Sequence, residues 1–263
     1  MMDFVSPLIL KTLQRTGGKN IIVLASGRGT MGKTWISIAM ASILAKMGQK
    51  ILLFDGDLGL ANIDIQLGIF AQADITGILN GQVPMNKAIR CFEPGGFDII
   101  TGRSKTHSLQ ALDGCGLQLI KDDLSLLATH YDTVIVDLGS SSETMINVFS
   151  EDVGRILVVC TDELLALTQA RNLLKMLSNK GKSDKIGIVI NAVSSLKEGN
   201  RTYYTLTKAC DDFLKGSLPL LGVIRQDSYV VDALENRLSV FNAYPDCKAI
   251  SDVKKIIEKI NDK

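Results

Sequence analysis

Residues 20–58 read NIIVLASGRGTMGKTWISIAMASILAKMGQKILLFDGDL. Residues 20–25 are a short apolar, β-branched run, the composition of a buried strand. Residues 26–34 form a loop punctuated by glycine. Residues 34–47 are apolar nearly all round and hold neither Gly nor Pro, which predicts a helix buried on every side. Gly48 ends it as a helix C-terminal glycine does. Residues 50–54 are a second apolar strand that stops at Asp55. Strand, glycine loop, helix and strand make one βαβ unit, and its loop is built to hold phosphate.

The loop satisfies G-x-x-x-x-G-K-[ST] through Gly27, Gly32, Lys33 and Thr34, with Arg28, Gly29, Thr30 and Met31 between the glycines. Each residue type has a physical role. Glycines let several N–H groups point into one concavity, and the helix that starts near Lys33 adds its positive end. Lys33 brings a mobile cation to the β/γ-phosphates, and the Thr34 hydroxyl can ligate Mg²⁺. A second reading uses the same residues. Gly27, Gly29 and Gly32 also spell the dinucleotide fingerprint, and Asp55 follows the third glycine by 23 residues, as a ribose-binding acid would. This NAD(P)-dependent oxidoreductase reading explains neither the Lys33-Thr34 pair nor the second carboxylate, Asp57. It also leaves Asp137, at the end of another apolar strand, without a role.

Composition narrows the class. A chain of 263 residues with 46% hydrophobic content and 22% charged residues suits one large α/β domain with ample core. Its net charge of +1 supplies no global field for nucleic acid or anionic lipid, so nucleic acid is not expected as a partner. Cys91, Cys115, Cys160, Cys210 and Cys247 are scattered, and the two histidines add no metal-ligand spacing. The first residues, MMDFVSPLILKTLQR, lack a cationic leader, and no apolar run reaches the ~18 residues of a membrane span. A cytoplasmic protein is expected.

Along the rest of the chain, residues 1–19 are expected to be an N-terminal extension with a weak helical stripe, and residues 20–263 a single domain. Short helices are expected over 74–80 and 84–90. Further strands are expected at 96–102, 133–136, 155–160, 185–190 and 220–224. Helices are expected at 117–129, 163–178, 201–214, 228–236 and 248–260, with Ser140 to Glu143 capping one more. Continuous apolar strands alternating with helices predict a doubly wound, mostly parallel sheet with helices on both faces, of the P-loop NTPase type. In such a sheet functional residues gather beyond the carboxyl ends of the strands. The candidates all fall there: the loop, Asp55 and Asp57, Asp137, and Asn191.

With the segments FDGDLGLANIDIQLG, YDTVIVDLG, VINAV and GVIRQDSYVVDALENRLSVFNAYPDCKAIS, the chain resembles the MinD/ParA family of deviant P-loop ATPases from Asn20 onward. It is most similar to the FlhG branch, which sets flagellar number and position. The resemblance implies ATP and Mg²⁺ as cofactors. Lys33 and the loop residues Gly27 to Trp35 would hold the phosphates. Thr34, Asp55 and Asp137 would serve the metal, and Asp57 would position the hydrolytic water. Asn191 would contact adenine, with Arg225 to Asp227 closing over the base. It also implies an ATP-dependent homodimer that switches a surface for protein partners of the flagellar or cell-positioning machinery.

The sequence departs from the family at several points. Arg28 stands where the family has the lysine that reaches the partner's ATP, and Thr30 where it has glycine. Hydrolysis is therefore expected to be slower than a loop with Lys and Gly would give, because a guanidinium has a different reach and Thr30 adds a Cβ. A hydrolysis-poor ATP-binding scaffold of the same fold is the alternative. No autonomous membrane binding is expected, since the helix over 248–260 aligns with a domain helix and the chain stops at Lys263. Residues 1–18 lack the Asp-Gln-Ala motif through which that branch engages a partner GTPase.

Overall fold

The computed structural model describes residues 18–27, 29–57, 62–69, 78, 83–101, 114–139, 143–214, 216 and 218–261. The described strands are β1 (Ile21–Ala25), β2 (Ile51–Asp55), β3 (Arg90–Phe92), β4 (Phe97–Ile100), β5 (Thr133–Asp137), β6 (Arg155–Cys160), β7 (Ile186–Val193) and β8 (Leu220–Arg225). The helices are α1 (Lys33–Lys46), α2 (Ile63–Gln66), α3 (Gly114–Ala128), α4 (Glu143–Phe149), α5 (Leu164–Asn179), α6 (Leu196–Lys208), α7 (Ser228–Glu235), α8 (Val240–Ala243) and α9 (Lys248–Asn261).

The strands form one sheet in the order β3-β4-β2-β5-β1-β6-β7-β8. Every pairing is parallel except β3 with β4. The expected doubly wound parallel sheet is therefore what the chain builds. β1 is central, flanked by β5 and β6, so the loop that follows it opens at the middle of the carboxyl edge.

Apolar runs form these strands because both faces are covered. Val23, Phe54, Val136 and Val158 face a core closed by α3, α4 and α5, where Phe54 stacks on Phe149 with ring centroids 5.8 Å apart. Ile22, Leu24, Leu53, Ile135 and Leu157 face the other core, under α1, α8 and α9. Helix α1 is buried at every position from Lys33 to Leu44, because the sheet lies beneath it and α8 and α9 lie over it. Its all-round apolar sequence is the direct expression of that position.

Three expectations are corrected. Residues 84–90 do not form a helix: a single 3-10 turn, Met85–Lys87, leads into the antiparallel edge strand β3. The helix expected over 201–214 runs instead over Leu196–Lys208, started by Ser195, whose hydroxyl accepts from the Glu198 N–H at 3.2 Å. β7 runs past residue 190 to Val193, so Asn191 sits within the strand and not after it. The expected stripe in residues 1–18 falls almost wholly, and the helix at 74–80 largely, outside the described residues.

Candidate functional site

Ser26 leaves β1 and opens the loop. Gly27 is compulsory on packing grounds, since a Cβ there would lie 2.6 Å from the Gln169 carbonyl oxygen on α5. Gly32 caps the start of α1 at φ +82, in the left-handed region, and a Cβ would meet the Asn191 Nδ2 at 2.4 Å. Thr30 is exposed. Outside glycine only Asp152, Ala192 and Arg237 take positive φ among the described residues, so Thr30 has an ordinary backbone and its Cβ causes no such strain. Arg28 lies outside the described residues.

Lys33, the first residue of α1, is 1% exposed, and its Nζ donates to the Ser26 hydroxyl at 2.6 Å. Burial lowers its pKa, and the carboxylates of Asp137 and Asp57 oppose that shift. Next to it, the Thr34 hydroxyl is hydrogen-bonded to Asp137. Asp137 ends β5 beside Asp55, its register partner at the end of β2. Burial pushes the Asp137 carboxyl up to about 6, against the Thr34 hydrogen bond and the Lys33 charge. Its Oδ1 is buried with no hydrogen-bond partner.

Asp55 is fully buried, and burial first, then the Asp137 charge, drives its pKa well above the carboxylate range. Its oxygens are taken by backbone: Oδ1 accepts from the Asp57 N–H at 3.1 Å, and Oδ2 from Asn62 and Ile63 at 3.1 and 3.2 Å. The residue thus pins the segment after β2 to the start of α2. Asp57 packs on Gly139, where a Cβ would come 2.0 Å from its Oδ2. One cation, one hydroxyl and the Asp57 and Asp137 carboxylates therefore converge at the mouth of the loop.

A divalent ion fits this set. A partnerless, buried carboxylate oxygen beside a threonine hydroxyl is a pair of hard oxygen donors suited to Mg²⁺. Among the described residues no three His, Cys, Asp or Glu side chains are grouped to hold a metal ion.

The remaining sequence candidates lie farther along the carboxyl edge. Asn191 is 5% exposed and its Nδ2 donates to the Met31 carbonyl at 2.8 Å. Trp35 is buried against Gly32. Arg225 gives its guanidinium to Asp252, Nε to Oδ2 at 2.7 Å and a second nitrogen to Oδ1 at 2.9 Å. Asp227 caps α7 through the Tyr229 N–H at 3.1 Å and also accepts from Ala249 at 3.2 Å. A hollow of about 640 Å³, lined by Ser194, Gln226, Asp227 and Ser228 among others, lies beside the start of α7. Sequence reasoning missed Ser26, Gln169 and Gly139. Ser26 precedes the motif directly and could have been included; nothing in the sequence announces the other two contacts.

The chain matches the family description "CobQ/CobB/MinD/ParA nucleotide binding domain" over residues 22–240. It belongs to that family. Among curated relatives, it is 29% identical over 241 residues to the antiactivator FleN of Pseudomonas aeruginosa, covering 92% of this chain and 86% of that one. It is 30% identical over 214 residues to the flagellum site-determining protein YlxH of Helicobacter pylori, covering 81% and 71%. Among solved structures, the septum site-determining protein MinD of Pyrococcus horikoshii, complexed with Mg-ADP, superposes with a TM-score of 0.75 at 21% identity, over 92% of this chain and 96% of that one. As a MinD/ParA-family protein the chain carries the family's nucleotide-binding domain, with residues 26–34 in the loop after the central strand β1. No described helix is long and apolar enough to cross a membrane.

Proposed function

We propose that the chain is a cytoplasmic, Mg²⁺-dependent ATPase that works as a nucleotide-switched dimer and regulates the number or placement of flagella or a similar structure. The observation that carries the chemical part is the convergence of Lys33, Thr34, Asp57 and Asp137 on a complete phosphate loop. The flagellar part rests on the names of FleN and YlxH, and on the FlhG-like segments. In this reading Lys33 leaves Ser26 for the β/γ-phosphates, and the loop N–H groups bind the remaining oxygens. Thr34 and Asp137 hold Mg²⁺, with Asp55 supporting them by fixing the Asp57 segment. The ion supplies charge neutralisation as negative charge develops on the leaving phosphates. Asp57 orients water, and Arg28 serves the active site of a second copy. The base occupies the hollow near Asn191 and residues 225–227. Protein partners bind the surface that the dimer creates, and the chain does not bind membrane on its own.

A titration with Mg-ATP and, separately, NADH, read by calorimetry and by Trp35 fluorescence, tests this. Mg-ATP is expected to bind wild type, and folded Lys33→Ala is expected to lose that binding. Phosphate release then separates an ATPase from a hydrolysis-poor scaffold. Unchanged ATP affinity in Lys33→Ala, or NADH binding in place of ATP, would overturn the proposal.

A further inference from the structure

Asn191 reaches across from β7 to the loop, and the contact has a consequence for how the loop presents its N–H groups. Met31 O can only accept, so the amide must offer it nitrogen, as the 2.8 Å contact shows. Met31 is 3% exposed, and its sulfur receives the Thr161 hydroxyl at 3.8 Å, so the residue is seated from β7 and from the residue that follows β6. The Met31–Gly32 peptide is trans, which sets the Gly32 N–H opposite the Met31 carbonyl. With the carbonyl turned toward Asn191, the N–H is turned away from β7. Rotation of this peptide changes only the ψ of Met31 and the φ of Gly32. Glycine tolerates both signs of φ, so Gly32 by itself does not choose between the two orientations.

The strand is shaped for this contact. Ala192 takes φ +57, and the β7–β8 pairing slips register between Ile190 and Val193. A non-glycine residue in the left-handed region costs on the order of 1 kcal/mol or more and persists where its surroundings impose it. The bulge leaves Ala192 exposed and keeps Asn191 buried under the loop.

We infer that Asn191 is a positioning residue for phosphate: it locks the Met31–Gly32 peptide so that the Gly32 N–H faces the anion. The inference rests on reading the loop as a phosphate site. It differs from a base contact in what it predicts for a ligand that has no base.

The test is calorimetric titration of wild type, Lys33→Ala, Asn191→Ala and Asn191→Leu with Mg-ATP and with Mg²⁺-tripolyphosphate. Asn191→Leu keeps the side-chain volume and removes the donor, so it guards against a cavity effect. Unfolding midpoints establish that each variant is folded. Loss of one N–H to an anion is expected to weaken both ligands alike, by roughly 10- to 100-fold. Weaker ATP with unchanged tripolyphosphate would make Asn191 a base contact and overturn the inference. Unchanged binding of both in either folded Asn191 variant would also overturn it. If wild type binds neither ligand, or Lys33→Ala binds both as wild type does, the phosphate reading itself falls.

Discussion

Replacing Arg225 with alanine would strand the carboxylate of Asp252, whose side chain is 1% exposed. The pair fastens the end of β8 to the second turn of α9. Removing one partner of a buried pair costs on the order of 3–5 kcal/mol, because the other charge stays buried. Here the lower end applies. The Arg225 backbone N–H still donates to Oδ2 at 3.2 Å, Lys255 lies 3.6 Å from Oδ1, and the arginine itself is 28% exposed. A loss of about 3 kcal/mol, set against an unfolding entropy near 2.1 cal/mol/K per residue, lowers the unfolding midpoint by roughly 5 °C. The double variant Arg225→Met/Asp252→Leu removes both charges, and it is expected within about 1 kcal/mol of wild type. Thermal unfolding of the nucleotide-free protein by circular dichroism measures all three. A drop below about 2 °C in Arg225→Ala would refute the reasoning, as would a double variant no more stable than the single one. Mg-ATP affinity, measured well below the midpoint, is expected to change far less than stability, since the guanidinium is engaged by Asp252.

Asp137 gives a pH prediction. Its carboxyl has an ordinary value of 3.8 in the unfolded chain and about 6 in the folded one, so the folded protein binds the proton more tightly. The stability that this group contributes is therefore fully present below about pH 4 and is lost as pH rises to about 6. Asp137→Asn removes that loss, and nucleotide-free variant is expected to exceed wild type at pH 7.5 by up to about 3 kcal/mol in urea unfolding, with the gap closing toward pH 4. An equal gap at both pH values would contradict it. Wild-type Mg-ATP affinity should also weaken below pH 6, where protons compete with the ion. Gly139→Ala would force Asp57 to move, since the new Cβ lies 2.0 Å from its Oδ2. Displacement of about 1 Å can cost on the order of 100-fold in rate, so phosphate release should fall far more than ATP affinity. Equal losses in both would show that Asp57 does not act in the chemical step.

The parallel sheet and the phosphate loop were legible because their signals are local. A strand of β-branched residues, four motif positions and an unbroken apolar helix all lie within residues 20–58. Strand β3 was not legible: Arg90, Cys91 and Phe92 form no apolar run, and pairing with β4 alone makes them a strand. The start of α6 was legible and went unread, since Ser195 and Glu198 spell a capping box. The contacts of Asn191 and Arg225 were not legible. Their partners lie 160 and 27 residues away, and a single sequence does not reveal such pairings. Nothing in the sequence around Arg225 announces Asp252 as its carboxylate partner.

The central place of β1 has a consequence for biosynthesis. Its five residues leave the ribosome early, yet their neighbours β5 and β6 begin at Thr133 and Arg155, and the Asn191 contact comes later still. At ~5–20 residues per second, roughly 10 to 30 seconds separate synthesis of β1 from synthesis of Asn191. Until β5 and β6 have been made, Ile21–Ala25 is an unpaired apolar segment, the kind that chaperones hold and that aggregates when they do not. Such long-range parallel pairing also folds slowly even in the finished chain. A nascent chain truncated before Thr133 would therefore have every residue of the phosphate loop and no partner strand for the β1 that carries it.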